Sequence, residues 1–72
     1  MKNQNIKDLR MKKRLLQKDV SNLSNISPGF YCLLENGLRR PSLKTARNIS
    51  NALGITLDEF YQALVIAISQ FK

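Results

Sequence analysis

The stretch Gln17-Lys18-Asp19-Val20-Ser21-Asn22-Leu23-Ser24-Asn25-Ile26-Ser27-Pro28-Gly29-Phe30-Tyr31-Cys32-Leu33-Leu34-Glu35-Asn36-Gly37-Leu38-Arg39-Arg40 decides the fold. Its punctuation marks two short helices. From Gln17 to Leu23, Val20 and Leu23 recur at the three-residue spacing of one helix face. Ser27 is a good N-cap, because its hydroxyl can accept from the free N–H groups of a first helical turn. Pro28 fits the next position, where a missing N–H costs nothing. Ile26, just before the cap, is placed to staple that start. The second of these helices continues through Phe30, Tyr31, Leu33 and Leu34, then stops at Asn36-Gly37. Two short helices joined by a turn of three or four residues around Asn25 form a helix-turn-helix.

Outside this unit the same helical grammar continues. Ile6, Leu9 and residues 10–13 predict a short first helix, with Leu15 as its packing anchor after the turn. Arg39-Arg40-Pro41 reads as a loop. Ser42 caps a fourth helix with Leu43, Ala46, Ile49, Ser50 and Leu53 on one side, closed by Gly54. Thr56-Leu57-Asp58-Glu59 is a capping box that opens a fifth helix running towards Phe71. No strand signal occurs. The expected fold class is therefore all-α, a compact five-helix domain over residues 1–72, with helices two and three forming the helix-turn-helix.

Charge narrows the partners. Twelve Lys and Arg against five acids give a net charge of +7. Such an excess on so small a body favours polyanions, nucleic acid first and an acidic membrane surface second. No apolar run is long enough to span a bilayer, so no membrane association is expected. The polar start and the lone Cys32 fit a cytoplasmic protein without disulfides. With no histidine and no paired-carboxylate or metal-ligand cluster, neither an enzyme nor a metal, cofactor or small-molecule ligand is expected.

Several separate motifs follow one another without gaps: Leu9-Arg10, Gln17, Ile26-Ser27, Leu34-Glu35-Asn36-Gly37, Arg40-Pro41-Ser42-Leu43, Ala52-Leu53-Gly54-Ile55 and Leu57-Asp58. Over residues 6–61 they resemble the Cro/C1-type (XRE-like) helix-turn-helix family of phage repressors and bacterial transcriptional regulators. The resemblance implies a lambda-repressor-like domain that binds double-stranded DNA. It places Gln17 on a DNA phosphate and the start of helix three, with Ser27, Pro28, Gly29, Phe30 and Leu33, in the major groove. Asn36, Arg39 and Arg40 match backbone-contacting positions, and Lys44 is placed to join them. Arg10 and Glu35 match an internal ion pair between helices one and three. The residues themselves agree on the last point, since an acid flanked by Leu33 and Leu34 needs a partner.

The groove-facing positions depart from the usual pattern. Pro28, Gly29 and Leu33 carry no bidentate donor, so Ser27, thymine-methyl contacts and DNA shape are left to discriminate sequence. Tyr31 and Phe30 are about 100° apart on a helix. Tyr31 is expected to pack inward with Leu34, and Phe30 to face outward. Cys32 is expected as a small half-buried helix residue. On helix five, apolar residues cover much of the circumference. Phe60, Leu64, Val65, Ile68 and Phe71 are read as a homodimer interface, carried by residues 62–72 as a C-terminal extension of helix five. Two readings follow: a homodimeric regulator, expected to repress from a pseudo-palindromic operator, or a protein-interaction module docking a partner on the apolar face of helix three.

Overall fold

The computed structural model describes residues 4–70, and five helices account for most of them. They are α1 (Ile6–Lys12), α2 (Gln17–Leu23), α3 (Pro28–Glu35), α4 (Leu43–Leu53) and α5 (Leu57–Gln70), with no strand among the described residues. The all-α expectation holds. Most helices begin where a side chain can take up free N–H groups. Asn5 and Asp8 close a reciprocal box on α1, at 2.9 and 3.2 Å. Ser27 Oγ accepts from Phe30 N, and Ser42 Oγ from Thr45 N. Thr56 and Glu59 satisfy each other's backbone N–H at 3.0 and 2.9 Å. Helix α2 differs, because Leu16 at its cap has no side-chain acceptor. Only the return half is present there, with Leu16 N donating to Asp19 at 2.8 Å.

The first four helices end in one and the same way. In each, a left-handed residue follows the last turn: Arg14, Asn25, Gly37 and Gly54. The next N–H then reaches back over the helix end, as Ile26 N does to Ser21 O and Leu38 N to Leu33 O. This double closure satisfies carbonyls that would otherwise lack donors. Two of the four left-handed residues are not glycine. An L-residue there costs roughly 1–2 kcal/mol, offset in part by about 0.5–1 kcal/mol of extra chain entropy if glycine replaces it. Arg14→Gly is therefore expected to stabilise the fold by about 0.5–1 kcal/mol, read as a higher urea midpoint at unchanged m.

Burial sorts the apolar residues. Ile6, Val20, Tyr31, Leu34, Ala46, Ile49 and Leu53 meet Phe60, Ala63 and Leu64 of α5 in one core, with Ala67 buried beside them. This corrects the reading of α5. Phe60 (0% exposed) and Leu64 (5%) are spent on the chain's own core and have almost no surface for a second copy. Val65 stays 63% exposed, Tyr61 36%, and Ile68 is half-buried against the core. Phe71 lies outside the described residues. Phe30 is corrected too: it is half-buried and leans on the core, not free in solvent. The end of α3 is seated on α5 through Gly37, where a Cβ would lie 2.7 Å from the backbone of Ala67 and Ile68. Asn5 Nδ2 donates to Gln70 Oε1 at 2.7 Å, joining α1's cap to the end of α5. No single helix among the described residues is long and apolar enough to cross a membrane.

Candidate nucleic-acid interface

Helix α3 has two sharply different sides. Tyr31, Leu34 and Glu35 are buried, whereas Ser27, Pro28, Gly29 and Asn36 are exposed. Cys32 and Leu33, half-buried, lie between the exposed ends. The spacing 29, 32–33, 36 is that of one stripe along a helix. Cys32 is the member that sequence reasoning missed, though its three- and four-residue spacing from Gly29 and Pro28 was there to be read. Asn36 Nδ2 lies 3.6 Å from Cys32 Sγ, which ties the far end of the stripe together. Gly29 faces open space: a Cβ built there meets nothing within 4 Å. The stripe is thus small and mostly apolar, with hydroxyl and amide groups only at its ends.

Cations flank it. Beyond the left-handed step at Gly37, Arg39 and Arg40 stand exposed in the loop, and Lys44 is exposed in the first turn of α4. These are the positions expected to meet a phosphate backbone, and the structure leaves all three open to it.

Behind the stripe is a buried polar knot. Arg10 Nε donates to Glu35 Oε2 at 2.6 Å and Arg10 Nη2 to Glu35 Oε1 at 3.1 Å, a two-pronged pairing between α1 and α3. Arg10 Nη1 donates to Leu15 O at 2.7 Å, so the same guanidinium also holds the α1–α2 turn. Gln17, expected only on a phosphate, is half-buried and donates from Nε2 to Glu35 Oε1 at 2.8 Å. No local spacing predicts that bond, because it joins residues 18 positions apart.

Burial alone would raise the Glu35 carboxyl. The hydrogen bonds from Arg10 and Gln17 outweigh it and hold Glu35 below the usual carboxylate range. The Arg10 guanidinium is pushed up by the same partner. Burial pushes the neighbouring Tyr31 phenol up, so it stays neutral. Glu59 is also held low, by its backbone and side-chain bonds to Thr56. A carboxylate with a lowered folded pKa stabilises above its unfolded value near 4.5, and that contribution drains away as pH falls through the folded value. Thermal midpoints are accordingly expected to be flat from about pH 7 to 5 and to fall below about pH 4.5. Replacing Arg10 and Glu35 together by Met and Leu should make that acid limb shallower, leaving mainly the part due to Glu59.

The comparisons with known proteins bear on the same segment. A family model described as helix-turn-helix matches residues 6–60. YqaE of Bacillus subtilis (strain 168), an uncharacterized HTH-type transcriptional regulator, is 38% identical over 58 residues, 81% of this chain and 50% of that protein. YqaF of the same organism, also an uncharacterized HTH-type transcriptional regulator, is 30% identical over 57 residues, 79% of this chain and 75% of that protein. The chain therefore spans half the length of YqaE and three quarters of YqaF. No solved structure matches. The family match takes in α1 through the start of α5, so the two-sided α3 and its flanking cations fall wholly within it, and the chain belongs to the XRE-type helix-turn-helix family of DNA-binding transcriptional regulators.

Proposed function

We propose that the protein is a cytoplasmic repressor that binds a pseudo-palindromic operator as a homodimer. One observation carries the DNA reading: residues 27–29 at the start of α3 are exposed together, and Arg39, Arg40 and Lys44 are exposed on the segment that follows. The α3 start enters the major groove, while Gln17, Asn36 and the three cations address phosphates. Six cations from two protomers give a slope near −5 in log affinity against log salt, about a thousandfold loss between 50 and 200 mM. Ser27, although it caps α3 through its oxygen, keeps its hydroxyl proton to donate. Pro28 and Leu33 offer thymine-methyl contacts, so discrimination rests largely on methyl placement and DNA shape.

The exposed part of α5 supports the dimer. Tyr61, Leu64, Val65 and Ile68 line a groove with Pro41 and Arg40. A body of 30 × 23 × 21 Å is small enough for two copies to sit over successive major grooves roughly 34 Å apart. Val65→Glu adds a charge at an exposed site and leaves the core intact. Light scattering is expected to give a dimer for wild type and a monomer for Val65→Glu; a wild type that is monomeric at micromolar concentration refutes the dimer.

Titration against the protein's own upstream DNA and a scrambled duplex, at two salt concentrations, tests the whole reading. Tight, salt-steep binding with preference for the upstream DNA is expected. Equal binding to both defeats operator recognition. Binding to neither favours the second reading, a partner protein docked on the apolar stripe of α3, which the lack of any bidentate donor there supports.

A further inference from the structure

Packing explains why Arg10 meets Glu35, and the proposed function gives Gln17 a phosphate, yet neither accounts for the 2.8 Å bond from Gln17 to Glu35. We propose that Glu35 is a positioning residue for DNA binding, fixing the Gln17 carboxamide so that its second N–H faces a phosphate. The inference rests on the DNA reading above.

A glutamine has three torsions to order, and its amide can present either a donor end or an acceptor end. Glu35 decides between them. A carboxylate oxygen can only accept, so of the two ends of the amide it takes Nε2, and the carbonyl end cannot take that place without facing a like partial charge. One amide proton is thereby committed to Glu35 and the other is left for an outside acceptor. The anchor is itself immobile: Glu35 is 4% exposed and gripped by two nitrogens of Arg10. Arg10 in turn is tied to Leu15 O, two positions before Gln17. The chain of bonds closes on itself, so the start of α2 and the end of α3 hold Gln17 from two directions. Arg10 also offsets the charge of an acid that would otherwise repel an approaching phosphate.

The test is a double-mutant cycle on a folded background. Replacing Arg10→Met and Glu35→Leu together removes the anchor, keeps the net charge at +7 and avoids a stranded buried ion. In fluorescence titrations with a short duplex, this pair is expected to weaken binding about fivefold to tenfold per protomer, as Gln17→Ala does. Adding Gln17→Ala to the pair should cost nothing further, and the salt slope should not change, since Arg10 is buried in its ion pair and the exposed cations Arg39, Arg40 and Lys44 are kept. In the free protein, the Gln17 side-chain amide should exchange slowly with water, and in the paired variant it should exchange as fast as an exposed glutamine. A folded paired variant that binds like wild type overturns the proposal. So does an equal loss from Gln17→Ala in both backgrounds. If the paired variant does not fold, the wild-type amide alone decides: Gln17 side-chain protons that exchange with water as fast as those of an exposed glutamine overturn it. Wild type that binds no duplex at low salt overturns the DNA reading and this inference with it, a result recognised without any variant.

Discussion

Glu35→Ala is expected to cost about 3–5 kcal/mol, the usual result of leaving one half of a buried ion pair behind. Arg10 is only 8% exposed, so its guanidinium would keep, among the described residues, only its hydrogen bond to the Leu15 carbonyl. A chain of this size commonly holds about 4–11 kcal/mol of total stability, so the variant loses roughly a quarter of it or more. Urea unfolding followed by circular dichroism reads the loss directly. The mechanism has its own control. The paired replacement Arg10→Met with Glu35→Leu removes the same hydrogen bonds but strands no charge, and is expected to fall within about 1 kcal/mol of wild type. If the pair and the single variant lose equal amounts, the cost comes from lost packing and the charge argument is wrong.

Gly37→Ala is expected to be nearly as damaging, at about 2–4 kcal/mol, for two independent reasons. The residue sits at φ +76, where a side chain is strained, and its Cβ would lie 2.7 Å from backbone atoms of Ala67 and Ile68. Backbone cannot swing aside as a flexible side chain can. Gly54 separates the two causes: it shares the left-handed backbone, at φ +68, but a Cβ there comes no closer than 3.4 Å to the end of Lys13. Gly54→Ala should therefore show the strain alone, about 1 kcal/mol. Equal losses at the two positions would mean that the seat of α3 on α5 contributes nothing.

The local features were legible. Ser27-Pro28, Ser42 and Thr56 through Glu59 announce helix starts because a cap is chemistry between residues two or three apart. Asn36-Gly37 announces an end for the same reason. What could not be read locally is which apolar surface meets which. A core and a partner both demand apolar residues, so periodicity on α5 shows a buried face without saying what buries it. The better stripe was nevertheless present. Phe60, Ala63, Leu64 and Ala67 follow the i, i+3, i+4, i+7 rule, and the small Ala67 lets Gly37 come close. Val65 falls off that stripe and is exposed. Phe30 was misread because a neighbour 100° away from Tyr31 still reaches the core edge. At the candidate interface the exposed cations and the α3 start were visible from their residue types and resemblance. The bond from Gln17 to Glu35 was not, since nothing but the tertiary fold brings the two together.

Gly29 carries a consequence for how such a protein changes over generations. Its α-carbon faces open space on the stripe proposed to enter the groove, and no neighbour within 4 Å depends on what stands there. A larger residue would disturb neither the caps nor the core, and most would favour the helix over glycine. Folding and readout are therefore separable at this one codon. A lineage carrying this chain can acquire an arginine or glutamine there and gain a base preference, without first having to compensate for lost stability.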